Sequence, residues 1–264
     1  MTVPVLLACS LAAAVAVMTA LYLLQRRRGD AGVVDVGWAA GIGLLAVAAA
    51  YTGDGWGPRR ALVGLMGAAW SFRLAAYLLV DRILRAKEED GRYQMLRSQW
   101  GDRAQARLFW LFQAQAVLVV LFGLPFVAVA ARVDAGWTAW DAAGLLIWAA
   151  AVAGEWTADR QLAAFRGRAA NRGRTCDRGL WRYSRHPNYF FEWVHWWAYA
   201  AMAAGSPVAW LAWVGPPLML FLLYRVTGIP YTEKRALVTR GEDYRRYQRA
   251  TSPFLPWFPR REEP

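Results

Sequence analysis

Leu108–Ala131, LFWLFQAQAVLVVLFGLPFVAVAA, runs between Arg107 and Arg132 without a charged side chain. As a helix its twenty-four residues extend about 36 Å, enough to cross a hydrocarbon core of roughly 30 Å. Working outward, comparable runs occupy Pro4–Leu24, Val33–Tyr51 and Ala61–Val80. Shorter ones occupy Trp140–Trp156, Tyr189–Ala204 and Val208–Thr227. Hydrophobic residues make up 57% of the 264, sixteen are Trp, and the charged 19% gather between the runs. That distribution excludes a soluble domain and predicts an all-α, polytopic membrane protein with seven transmembrane helices.

Charge asymmetry orients the spans. With the N-terminus outside, the inner side carries Arg and Lys in groups of three (Arg26–Arg28), seven (Arg82–Arg107), eight (Arg160–Arg185) and nine (Arg225–Arg261). Outside lie Arg59, Arg60 and Arg132, and Arg73 falls within a span. An even number of spans would scramble this separation, so the C-terminus is expected in the cytoplasm and the host membrane is expected to be a bacterial inner membrane. The net charge of +12 follows from this topology, and nucleic acid is not an expected partner. The first run lacks a basic residue before it and is followed by Arg26–Arg28, so it is expected to remain as a span and not to be cleaved. Cys9 and Cys176 fall at different levels, and no disulfide is expected. The chain reads as one domain, residues 1–264.

Ala158–Trp197, ADRQLAAFRGRAANRGRTCDRGLWRYSRHPNYFFEWVHWW, carries the strongest functional signal. Eight arginines lie among Asp159, Asn171, Asp177, Asn188 and Glu192, and the segment leads into an aromatic helix. Guanidinium forks match phosphate oxygens, Asn and Asp bond hydroxyls or amides, and aromatic rings stack on bases. A ligand with several anionic groups suits this mixture, and so does an ordinary headgroup-facing cytoplasmic loop.

Two ionisable residues inside early spans also need an explanation, since a charge near the bilayer centre costs about 2.5–3.5 kcal/mol. Asp35 shares a face with Trp38, and Arg73 shares a stripe with Trp70 and Tyr77. One reading is an Asp35–Arg73 ion pair that holds two spans together. The other places Asp35 and Tyr77 as acid and phenol in a cavity, with Trp38, Trp70 and Arg73 lining the substrate.

Other chemistry thins out quickly. Two histidines, His186 and His195, cannot supply the boxes of a di-iron oxygenase, and Glu192-x-x-His195 occurs once. No metal is expected. No G-x-G-x-x-G follows a strand, no P-loop occurs, and no G-x-S-x-G elbow is present.

GLWRYSRHPNYFFEW, preceded by ADRQLAAFR and Asn171 and followed by GIPYTEKR and EDYRRYQRATSPFLPW, resembles the membrane steroid 5-alpha-reductase family. The resemblance takes in Asp35 with Trp38, and Arg92-Tyr93, Arg97 and Trp100-Gly101 after the third span. It implies a seven-span reductase that uses NADPH to reduce a carbon–carbon double bond conjugated to a ketone, as in 3-oxo-4-ene steroids. The substrate would be an apolar enone entering from lipid. The implied cofactor contacts are Asp159, Arg166, Asn171, Arg174, Asp177, Tyr183, Arg185, His186, Asn188 and Glu192, with Glu233 and Arg235 further on. They fall in a cofactor-binding half spanning about residues 140–264. The nearest matches to the family's substrate-orienting and proton-donating groups are Asp35 and Tyr77; its Gln-Glu pair is absent here.

Hydride delivered to the β-carbon of an enone moves charge to the carbonyl oxygen, where an acid stabilises the enolate. Asp35 and Tyr77 are the candidates for that role. Membrane isoprenylcysteine and phospholipid methyltransferases share an R-H-P-x-Y element and a following glutamate, so an S-adenosylmethionine-dependent enzyme is the alternative. A lipid-binding or sterol-sensing protein without catalysis is a third reading.

Overall fold

The computed structural model describes residues 1–86, 88–226 and 228–260. Lys87 and Arg261, which enter the charge count, and Thr227, which ends the seventh expected span, lie outside the described residues. Among the described residues the regular structure is entirely helical. In order come α1 (Val3–Arg28), α2 (Val33–Thr52), α3 (Gly57–Leu78), α4 (Gly91–Trp100) and α5 (Ala104–Ala130). Then follow α6 (Ala139–Arg166), α7 (Pro187–Met202), α8 (Gly215–Phe221) and α9 (Ile229–Ala250). Wider π-helical turns extend α3 over Leu79–Leu84 and α8 over Leu222–Val226.

Helices occupy all seven places where spans are expected. Among the described residues five helical stretches are long and apolar enough to cross a membrane: Val3–Arg28, Val33–Thr52, Gly57–Leu84, Gly91–Ala130 and Ala209–Ala250. Such helices suit an integral membrane protein. α6 has the length but is diluted by Asp141 and Glu155. α7 has sixteen residues, about 24 Å, which falls short of a full crossing. α9 holds nine charged residues in twenty-two, so the apolar part of the last stretch lies before it.

Chain contacts define two compact units, residues 1–138 with 203–214, and 139–202 with 215–264. In the first unit α5 is central, buried without interruption from Phe122 to Ala130. α1 is peripheral and mostly exposed. α2 and α3 form a close pair because small residues meet: a Cβ at Gly67 would lie 2.7 Å from the Ala46 Cβ and 3.0 Å from the Phe126 ring. At one end of this unit the arginines are fastened. Arg59, fully buried, donates to the carbonyls of Asp134 (2.8 Å) and Gly136 (2.7 Å), and Arg132 pairs with Asp134 at 2.6 Å. Arg60 donates to the Gly53 carbonyl. Arg59, Arg60 and Arg132 are thus structural staples.

In the second unit α6 and α7 pack antiparallel. Asn188 at the start of α7 bonds Asp159 late in α6, while Gly144 early in α6 lies against Ala198 and Met202. Midway, a Cβ at Gly154 would sit 2.4 Å from the Phe191 ring. Gly154→Val should therefore force the pair apart and destabilise the purified protein by about 1–3 kcal/mol in a denaturation titration, whereas Gly167→Ala, at the exposed end of α6, should be near neutral.

Candidate functional site

The arginine-rich loop between α6 and α7 is tied down at many points. Asn171 Nδ2 donates to the Phe165 carbonyl at 2.8 Å and closes the end of α6. Gln161 Oε1 accepts the Leu180 amide at 2.8 Å, and the Trp181 indole donates to the Ala158 carbonyl at 2.9 Å. α9 holds the other side: Asp243 accepts the Thr175 amide at 2.7 Å, and the buried Tyr247 hydroxyl donates to the carbonyls of Trp181 and Ser184. The tail joins in, with the Arg185 amide donating to the Ser252 carbonyl and the Trp257 amide to the Tyr183 carbonyl.

At the foot of α7 three predicted residues meet. Arg185 Nε donates to Glu233 Oε1 at 2.7 Å, and His186 Nε2 lies 3.2 Å from the same oxygen. Gln248 Nε2 donates to Glu233 Oε2 at 2.9 Å, while Arg185 Nη1 donates to the carbonyls of Gln248 (2.8 Å) and Thr251 (2.9 Å). Burial would raise the Glu233 pKa, but the hydrogen bonds from His186 and Arg185 and their charge outweigh it and hold the carboxylate at about 2. His186 stacks on Tyr189 with ring centroids 5.4 Å apart. Arg185 and Glu233 thus serve each other and staple the loop to α9.

Of the eight arginines from Arg160 to Arg185, Arg160 and Arg166 belong to α6 and six to the loop; the seven up to Arg182 are exposed and Arg185 is half-buried. Arg166, Arg174 and Asp177 lie on the outer surface of the loop, as does Arg235 on α9. Tyr183 is partly exposed and Asn188 is spent on Asp159. Glu192 accepts from the Trp196 indole at 3.3 Å. Two clefts open beside the loop. One, of about 500 Å³, is lined by Arg185, Arg249, Arg260, Trp257 and Phe258 among others; the second, of about 270 Å³, by Thr175, Asp177, Arg182, Asp243 and Arg246. Arg249, Trp257, Arg182 and Arg246 are absent from the residues singled out by sequence. The EDYRRYQ and LPW segments held the signal, since they supply cations and rings beside the loop.

These side chains suit a ligand that carries anionic groups and flat rings. Free guanidinium faces answer phosphates, exposed Trp257 and Phe258 rings offer stacking surfaces, and Asp177 offers an acceptor for ribose hydroxyls.

In the first unit, Asp35 does not pair with Arg73. Arg82, in the π-helical turn after α3, donates to Asp35 Oδ2, and so does Arg92 Nη2 at 2.6 Å; the Tyr93 hydroxyl donates to Oδ1 at 2.8 Å. Asp90 caps α4 by accepting the Arg92 amide at 2.9 Å and its Nε at 3.1 Å. A second clamp stands beside it: Glu89 accepts the Ala31 amide at 2.7 Å and Arg97 Nε at 2.9 Å, while Arg97 Nη2 reaches Gln25 Oε1 at 3.0 Å. The Arg92-Tyr93, Arg97 element is therefore the lock that holds α4 to the ends of α1 and α2.

The expected Trp70–Arg73–Tyr77 stripe divides. Trp70 is buried, Arg73 is exposed, and Tyr77 is 60% exposed. α3 turns Ser71, Ala75 and Leu78 inward, because small side chains let it approach Gly43 and Ala39 of α2. The bulky polar pair faces out. Trp38 lies in that apolar cluster and packs edge-on against Phe122 at 5.8 Å.

Fold and loop together define a helical, multi-span membrane protein with an arginine-rich loop anchored on its last helix. The chain belongs to the family of proteins of unknown function DUF1295, whose model matches residues 21–251. No curated protein and no solved structure matches it.

Two tests follow from the anchors. Arg185→Ala removes one of the three groups that hold Glu233 and leaves two carbonyls without their donor, so it should cost about 1–3 kcal/mol of stability, and Arg185→Lys should recover little because an ammonium lacks the fork. Since the Glu233 pKa is lowered from 4.5 to about 2, its stabilisation is complete above 4.5 and is lost as pH falls toward 2. Unfolding monitored across that window should show a shallower acid decline for Glu233→Gln than for wild type. In the first unit, a double-mutant cycle on Asp35 and Arg92 should return a coupling of about 1–3 kcal/mol, whereas the Asp35 and Arg73 cycle should return none.

Proposed function

We propose that this chain is an NADPH-dependent reductase that delivers hydride to the carbon–carbon double bond of an apolar enone such as a 3-oxo-4-ene steroid. The observation that carries the reading is the loop itself: five exposed arginines, Arg168 to Arg182, on a backbone immobilised by α6, α9 and the tail, with Arg160 and Arg166 exposed on α6 beside it. A flexible headgroup-binding run needs no such anchoring. A pre-ordered cationic surface beside clefts with exposed rings serves a ligand carrying several phosphates and a base. S-adenosylmethionine, which carries no phosphate, leaves most of these cations without a purpose.

In this proposal Arg166, Arg174 and Arg182 face the phosphates, Asp177 a ribose, and Arg185, Glu233 and His186 keep the surface in shape. Bound NADPH would supply the hydride. The spans provide an apolar route for a substrate arriving from the lipid. In this scheme the loop lies on the cytoplasmic face of a bacterial inner membrane, where NADPH is made. Asp35, with both oxygens accepting from Arg82, Arg92 and Tyr93, is an anchor in this scheme, and the proton that completes the reduction comes from elsewhere.

Mass spectrometry of the copurified ligand separates the classes: NADPH supports the reductase, S-adenosylmethionine the methyltransferase, and neither a binding protein. In titrations of purified protein, NADPH should bind at least about tenfold tighter than NADH, because the 2′-phosphate recruits an arginine. Arg174→Ala or Arg182→Ala should erase much of that preference while leaving the unfolding midpoint unchanged. Equal affinity for both nucleotides in wild type would overturn the proposal.

A further inference from the structure

α6 has two contrasting sides. One carries the buried Asp141, Gly144, Ala151 and Ala158, and Gly144 packs there on Met202 of α7. Opposite lie Ala142, Leu145, Leu146, Ala149, Ala153 and Trp156, all exposed, with Leu146 71% and Trp156 55% accessible. At 3.6 residues per turn these six fall within about 100° of one another and run about 21 Å along the axis, longer than the roughly 15 Å of hydrocarbon in one leaflet. None of them is polar beyond the Trp156 indole.

The stripe ends on a cation. Arg160, one turn beyond Trp156 and on the same face, holds its guanidinium carbon 4.4 Å from the centroid of the Trp156 ring. Its helical neighbours are Trp156, Thr157, Ala163 and Ala164, so no carboxylate of α6 is spaced to pair with it. Stacking fixes the plane of the guanidinium and leaves its N–H edge open to an anion. Arg166, six residues further, projects about 120° away, so the α6 arginine that the reductase reading gives to a phosphate belongs to another face.

Aliphatic groups, then an indole, then a guanidinium follow the order of surroundings met on leaving a leaflet: hydrocarbon, the ester level, phosphate. An apolar strip of this length needs a covering, and the cation at its end says which covering fits. We propose that this face of α6 is a phospholipid seat, with an acyl chain along Leu145, Leu146, Ala149 and Ala153, Trp156 at the ester level and Arg160 on the phosphate. A phosphate without a compensating cation, as in phosphatidylglycerol, suits it best because this face brings no carboxylate. The seat goes beyond the reductase reading and does not depend on it. It also gives α6 a place in the bilayer that composition alone obscures: Asp141 is turned to the buried side and Glu155 is half-buried, so the acids that dilute the helix leave its exposed stripe apolar.

Two measurements on the full chain test the seat. With Cys9→Ser and Cys176→Ser removing the native thiols, spin labels on Leu146→Cys, Ala149→Cys and Ala153→Cys in nanodiscs should collide strongly with oxygen and weakly with a water-soluble nickel chelate. A label on Val238→Cys, at a position 82% exposed on the charged α9, should show the reverse. Nickel collisions on the stripe at the Val238→Cys level would overturn the proposal by placing the face in water. Weak collision with both probes would overturn it too, by showing that protein, such as a second copy of the chain, covers the face. In the second measurement, protein from nanodiscs of equal phosphatidylcholine and phosphatidylglycerol is released intact into a mass spectrometer. Wild type should retain phosphatidylglycerol preferentially, and Arg160→Gln should lower that preference about five- to tenfold. Trp156→Leu should lower it less, and Arg245→Gln, 61% exposed on α9, should leave it unchanged. An Arg160→Gln variant that retains phosphatidylglycerol as wild type does would overturn the seat even if the stripe faces lipid.

Discussion

A charge at the edge of a bilayer has to be matched or left in water, because desolvating it alone costs several kcal/mol. Much of what is specific in this molecule answers that constraint. Arg59 and Arg132 converge on Asp134 and nearby carbonyls. Asp35 is enclosed by two guanidinium groups and a phenol, Glu89 by Arg97 and an amide, and Glu233 by Arg185, His186 and Gln248. Each cluster joins elements distant in sequence, so the same pairing that settles the charge also fixes where apolar helices end. Helix contacts away from these clusters rely on glycines, such as Gly67 against Ala46 and Gly154 against Phe191.

The loop shows how one residue type divides its labour. Arg185 turns inward and spends two of its nitrogens on α9, whereas Arg166, Arg174 and Arg182 keep their faces in solvent. Geometry makes the difference: Arg185 stands two residues before the start of α7, where carbonyls of Gln248 and Thr251 converge. Arg166 projects from the last turn of α6, and Arg174 and Arg182 from the short turns after it. An anchored cation costs little further entropy to hold in place, and it makes the exposed ones more effective because their backbone is already ordered.

Hydrophobic runs and charge separation made the helices legible in the sequence, because both are summed over many residues and tolerate local error. Pairing inside the clusters was not legible. Asp35 and Arg73 share a plausible depth, yet Asp35 finds Arg82 and Arg92, which lie in a π-helical turn and a short helix that hydropathy does not register. Helical period identified Trp70, Arg73 and Tyr77 as a stripe but not which stripe would pack; small Ser71 and Ala75 decided that. The Arg92-Tyr93 and Arg97 element was visible as a pattern, and only contacts gave it a purpose. In the loop the chemistry was visible from composition, whereas the partition between staples and open arginines depended on α9 and the tail, some fifty to seventy residues later.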